Sequence, residues 1–281
     1  SLKMALCGLK AIVLVACALA AAGKVQLRHS SHKVSDEALH VGSFVTPLEF
    51  KHQLRVCNAF PNMGALEVYR GAERLTGELP MAYKACHDFA VPLKSGDKLE
   101  FRLGDASTGT FSVADLPNSD GVLLLVIHRH DSLSTAVAFE SHVFAALDSA
   151  QVAVIDTYKG KDVAVAKIMD RSAKVSKDPK AVAPVRSEEL RYDSVVAVNP
   201  GEYEVELEGA SGKQESRATL VALSHESYVV LRVGVESQSG GSFPSELVVF
   251  PNPNPEALHS GTAPRVASAA SVLLAAFAAL W

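Results

Sequence analysis

The chain has 281 residues, with 27 basic and 31 acidic side chains and a formal charge of −4 at pH 7. That balance excludes a nucleic-acid binder, which needs a basic stripe, and the length suits about two domains of roughly 100–200 residues each. Apolar residues make up 48 %, which is ordinary for a globular chain once two apolar ends are set aside.

From Met4 the chain reads MALCGLKAIVLVACALAAAGK, with Lys10 beside an apolar stretch at 11–19 and then Ala20, Ala21 and Ala22. A basic start, a short apolar core and small residues predict a secretory signal peptide over 1–22, cleaved near Ala22. The apolar run is shorter than the ~20 residues a bilayer core requires, which disfavours a transmembrane helix. Residues 23–51 hold His29, His32 and His40 without a sustained period and read as a mobile N-terminal arm. Lys24, Arg28 and Lys33 occur there before any acid. Transit peptides share that pattern, so the lumen of a secretory-route organelle is the alternative to the cell surface. Cys7 and Cys17 lie in the leader, leaving Cys57 and Cys86. An even pair in an oxidising compartment predicts a disulfide; two buried free thiols are the alternative.

The middle of the chain repeats. QLRVCNAFPNMGALEVYRG from Gln53 matches QVAVIDTYKGKDVAVAKIM from Gln151, and HDFAVPLKSGDKLEFRLGDASTG from His87 matches YDSVVAVNPGEYEVELEGASGKQ from Tyr192. GVLLLVIHRHDSLSTAVAFESHVF from Gly121 then matches SYVVLRVGVESQSGGSFPSELVVF from Ser227. Three blocks in the same order indicate duplication. Within each copy the apolar period is two, as in Leu99, Phe101 and Leu103 or Tyr203, Val205 and Leu207. Such alternation marks antiparallel strands with one face in a core. The apolar runs at 122–127 and 228–233 read as central strands covered on both faces. Short strands with turns every 8–12 residues or so predict two tandem immunoglobulin-like β-sandwiches, 52–146 and 147–251.

Asn58-Ala59-Phe60-Pro61, Leu66-Glu67-Val68-Tyr69 and, in the second copy, Asn199-Pro200-Gly201-Glu202-Tyr203 resemble short motifs of the domain-of-unknown-function family numbered 4397. The resemblance spans residues 52–251, although Lys159 stands in the second copy where the first motif has its proline. It implies extracytoplasmic tandem sandwiches and carries no reaction.

His128 and His130 are the candidate metal ligands. Residues two apart in a strand face the same side, and His142 or Asp131 would supply a third ligand. Gly234 and Glu236 stand opposite them in the aligned second copy. Asn118-Ser119-Asp120-Gly121 lacks the remaining ligands of a calcium loop, and Gly209-Ala210-Ser211-Gly212-Lys213 lacks the spacing of a phosphate loop. With no catalytic motif, no enzyme and no cofactor are expected.

Residues 171–191, holding Lys174, Lys177, Lys180 and Arg186 with Pro179 and Pro184, read as a solvated loop inserted in the second copy. A Pro-rich spacer at 252–265 leads to the apolar tail at 266–281. Small residues around Ser260 and Gly261, a spacer and an apolar terminus predict attachment of a glycosylphosphatidylinositol anchor there, with a retained transmembrane segment as the alternative. The expectation is a secreted, membrane-anchored surface protein with a structural, adhesive or ligand-binding role. Its partner is a protein or glycan. The alternative is a metal- or carbohydrate-binding module using His128 and His130.

Overall fold

The computed structural model describes residues 48–145, 149–171, 186–238 and 241–260. The signal peptide, most of the arm, Lys174, Lys177, Lys180, Gly261 and the apolar tail lie outside them. Eight strands make the first repeat: β1 (His52–Ala59), β2 (Leu66–Arg70), β3 (Glu73–Arg74), β4 (Cys86–Phe89), β5 (Lys98–Leu103), β6 (Ala106–Ser112), β7 (Gly121–Arg129) and β8 (Val137–Ala145). Among the described residues of the second there are eight more: β9 (Ala150–Asp156), β10 (Ala164–Asp170), β11 (Ser187–Leu190), β12 (Ser194–Val198), β13 (Gly201–Gly209), β14 (Gln214–Ala222), β15 (Ser227–Val235) and β16 (Phe243–Phe250). A short helix, α1 (Ala257–Ser260), follows.

The strands form four sheets, ordered β4-β1-β7-β8 and β3-β2-β5-β6 in the first repeat, and β12-β9-β15-β16 and β11-β10-β13-β14 in the second. The two orders are the same once each strand is matched to its counterpart eight places on. In both repeats the first strand runs parallel to the seventh, β1 with β7 and β9 with β15. The protein is thus two β-sandwiches in series.

Strand alternation sorts the apolar residues into three cores. Leu54, Val56, Leu123, Leu125 and Ile127 point into the first sandwich against Val68, Leu99 and Phe101. Val152, Val154, Tyr228 and Val230 point into the second against Ala166, Val205 and Leu220. The intervening residues face the other way. Cys57, Ala59, Leu124 and Val126 meet Ala153, Ile155, Val229, Leu231 and Val233 in a third cluster between the sandwiches. The two middle sheets therefore pack face to face, and the described chain is a stack of four sheets. This explains why β7 and β15 are apolar on both faces: each covers one sandwich core and one shared interface.

Edge contacts give the stack its symmetry. Tyr83, just before β4, meets Phe243 of β16, while His142 of β8 and Val195 of β12 line one groove. Since β4 and β12 are counterparts, as are β8 and β16, the sandwiches meet in the manner of an isologous pair.

Two sequence expectations need correction. Leu54 has Leu123 as its parallel partner, and Val152, the equivalent of Leu54, has Tyr228. Leu123 thus corresponds to Tyr228, and the third aligned block is off by one residue. Both strands are apolar on both faces, so no alternation pins their register in the sequence. The end of the supposed loop at 171–191 is also not a loop: Ser187–Leu190 is an edge strand paired antiparallel with β10. Its first three residues are exposed and only Leu190 turns inward, which leaves one apolar side chain as a signal.

Candidate functional site

Cys57 and Cys86 sit directly opposite each other on β1 and β4, with Cα atoms 4.1 Å apart, and form a disulfide. The bridge lies within the first sandwich's sheet but on the face turned toward the second sandwich.

The histidine pair is not assembled. His128 is 3 % exposed and points toward the inter-sandwich face, its Nδ1 donating to the Arg129 carbonyl oxygen at 2.8 Å. Its Nε2 is buried without a hydrogen-bond partner, 3.8 Å from a Glu140 oxygen. Burial lowers its pKa, and the charges of Lys159 and His130 act in the same direction against the Arg129 carbonyl. His130 lies past the end of β7, and its side chain is 68 % exposed, beside Asp131. The two-residue rule fails because the strand ends between them. Among the described residues no three His, Cys, Asp or Glu side chains converge as a metal site would require. His142 is on β8 and stacks edge-on with Phe144.

Where the repeats differ, the second acquires polar groups. Register makes Asp156 the counterpart of Asn58, Tyr158 of Phe60 and Arg232 of Ile127. In the first sandwich Ile127 is plain core and Asn58 satisfies the Met81 carbonyl at 2.9 Å. In the second, Arg232 is 3 % exposed. Its Nη1 donates to Asp156 at 3.2 Å, Nε to Ser245 Oγ at 2.9 Å and Nη2 to the Asp162 carbonyl at 2.9 Å. The guanidinium also lies over the Tyr158 ring, 4.3 Å from its centroid, a cation–π contact. A buried charge is tolerated only when its donors are met, and the planar fork of arginine meets three groups at once. The consequence is a fixed loop between β9 and β10.

That loop carries Tyr158 into the space between two clefts. Gly160 passes so close to the phenol that any side chain there would collide with it. The Tyr158 phenol has its pKa pushed up to about 12, by burial first and then by the charges of Glu236 and Asp162. The larger cleft, about 700 Å³, is lined by Tyr158, Asp162, Lys213, Glu215, Glu236 and Phe243. The smaller, about 480 Å³, is lined by His130, Asp131, Tyr158, Lys159, Lys161 and Glu236. Both lie where β7, β9 and β15 end, whereas β1 begins and β16 ends at the opposite pole, with Phe250 near Arg55.

Sequence reasoning missed these residues. Phe60 against Tyr158 and Asn58 against Asp156 were readable in the aligned repeats. Arg232 was hidden, because the shifted block set it opposite Val126 instead of Ile127.

Fold and site together define a class: an all-β protein of tandem sandwiches with a polar, aromatic-bearing cleft at its loop end. No protein-family model matches the chain, and no curated protein matches it. Among solved structures it is similar to the family 26 carbohydrate-binding module from Eubacterium rectale Amy13K, solved in complex with maltoheptaose, at 10 % identity and a TM-score of 0.23. The match covers 72 % of this chain and 98 % of that one.

Proposed function

We propose that this chain is a non-catalytic binding protein of an extracytoplasmic compartment, and that its loop-end cleft takes a glycan. The observation that carries this reading is the cleft of about 700 Å³ beside Tyr158 and Phe243. Aromatic rings offer apolar contact to the C–H faces of a sugar. The carboxylates of Asp162 and Glu215, with Lys213 and Gln214, offer acceptors and donors to its hydroxyls. A concave site with a few convergent polar groups is the usual form of a ligand pocket. The Cys57–Cys86 bridge supports an oxidising compartment. The chain is delivered by its leader and held at the outer face of the plasma membrane by a lipid near Ser260 and Gly261, or secreted. The described chain leaves the stack at the pole opposite the clefts, so such an anchor leaves them facing outward.

The test is a glycan-array screen of the mature chain, followed by calorimetric titration of the best binder. Phe243→Ala and Asp162→Ala are expected to weaken binding about tenfold or more, equivalent to about 1.4 kcal/mol, with the melting temperature unchanged for Asp162→Ala and lowered by about 2–4 °C for Phe243→Ala, which also loses the Tyr83 contact. Binding that survives both substitutions, or an array with no signal, overturns the reading.

A further inference from the structure

We infer that the smaller cleft is an anion site, so that the ligand is an acidic oligosaccharide whose carboxylate or sulfate is held by Lys159 and Lys161. This rests on the glycan reading of the larger cleft, which shares Tyr158 and Glu236 with it. The two clefts adjoin at these residues.

The formal charges lining the smaller cleft balance, Asp131 and Glu236 against Lys159 and Lys161. What a ligand meets there is decided by which groups retain hydrogen-bonding capacity. Asp131 has little left. Asp131 Oδ1 accepts the backbone N–H of Ser134 at 2.6 Å and of Leu133 at 2.8 Å, while Oδ2 accepts the Ser134 hydroxyl at 3.0 Å and faces His130 Nδ1 at 3.1 Å. Those donors, the Ser134 amide first, hold its carboxyl far below the usual carboxylate range. Glu236 Oε2 accepts the Lys161 N–H at 3.1 Å, which ties that carboxylate to the backbone of the lysine-bearing loop. The cations are in the opposite state. Lys84 and Lys167 each hold a carboxylate, but the ammonium groups of Lys159 and Lys161 have no ion pair among the described residues.

The site is composite. Its 130–132 wall belongs to the first sandwich and its 158–161 and 236–238 walls to the second, joined by the Gln238 N–H donating to the Ser132 carbonyl at 3.2 Å. The backbone N–H of Lys159 donates to Gly234 and that of Glu236 to Lys159, so the lysine-bearing loop is held at both sides. Two ammonium groups with no ion pair among the described residues, carried on a loop fixed by its own backbone bonds, are suited to a tetrahedral or planar oxyanion.

The experiment titrates the mature chain with a neutral oligosaccharide and with its sulfated and uronate counterparts on the same backbone. Inorganic sulfate and free glucuronate serve as lone-anion probes. The acidic forms are expected to bind about tenfold more tightly than the neutral one, with the advantage reduced by added sodium chloride. Lys159→Ala with Lys161→Ala should bring the acidic forms down to the neutral affinity and leave the neutral ligand unaffected. Whichever lone anion competes identifies the group. Lys161→Gln alone gives the same comparison should the double variant fail to fold. Equal affinity for acidic and neutral ligands overturns this inference and leaves the glycan reading standing. Absence of binding by every oligosaccharide overturns both.

Discussion

His128 is a buried histidine on the face of the first sandwich that meets the second. It sits in β7 between Ala59 and Ala138, where its counterpart in the second repeat is Val233. Its Nε2 has no partner and lies in the inter-sandwich face. Since burial lowers its pKa in the folded protein, the unfolded chain binds a proton first as pH falls. The neutral imidazole therefore leaves stability intact above the unfolded value near 6.5. Stability falls as pH drops through that value and continues to fall to the lower folded pKa. His142, lowered by burial as well, adds in the same direction. His128→Val should flatten the acid side of a urea-stability profile between about pH 7 and 5. A profile that keeps the wild-type slope would show that His128 does not titrate on unfolding.

At the scale of elements, the disulfide ties β1 to β4, two neighbours in the sheet that faces the second sandwich. It closes a segment with a sequence separation of 29, for which the chain-entropy model gives about 3–4 kcal/mol. Read from sequence alone, the bridge belongs to the first sandwich, and reduction should weaken that half more than the other. The structure places both sulfurs in the cluster that includes Ile155, Val229 and Leu231 of the second sandwich. Loosening β4 then exposes the neighbouring domain too. Hydrogen exchange on Cys57→Ala/Cys86→Ala is expected to show lost protection in β9 and β15 as well as in β1 and β4. Loss confined to the first sandwich would mean that the interface does not transmit the change.

For the whole molecule, the question is whether the two sandwiches unfold together. Arg55, the counterpart of Ala153, is 3 % exposed at their junction. It makes a bidentate pair with Asp88, at 2.7 and 2.9 Å, donates to the Ser227 carbonyl oxygen and lies 5.1 Å from the Phe250 centroid. One side chain thus joins β4, β15 and β16. Removing it leaves the buried Ser227 carbonyl without that donor and the solvent-exposed Asp88 without its partner, a loss of about 1–2 kcal/mol. Calorimetry on Arg55→Ala is expected to show a lower, broadened or split transition in place of a single one. One sharp transition at the wild-type temperature would remove Arg55 from the coupling. The Lys84–Glu246 pair, 2.7 Å apart and well exposed, is a weaker tie across the same seam.

Strands, turns and duplication were legible in the chain itself, because period-two alternation and Gly-, Pro- and Asn-bearing turns are local properties of neighbouring residues. Leu99, Phe101 and Leu103 announce one buried face, and the structure puts Leu99 and Phe101 in the core. The pair Cys57 and Cys86 was legible by elimination. Other features were decided only by tertiary structure. A strand such as Tyr228 to Val233, apolar on both sides, does not say which side meets its own sandwich and which meets the other, and a slip of one residue leaves its pattern unchanged. That ambiguity concealed Arg232 opposite Ile127, and with it the loop that carries Tyr158. His128 and His130 were separated by the end of a strand that no local signal marked. The clefts assemble residues 130–132, 158–162, 211, 213–215, 235–238 and 242–245. Their proximity comes from sheet order and the stacking of two repeats, long-range pairings that a local period does not encode.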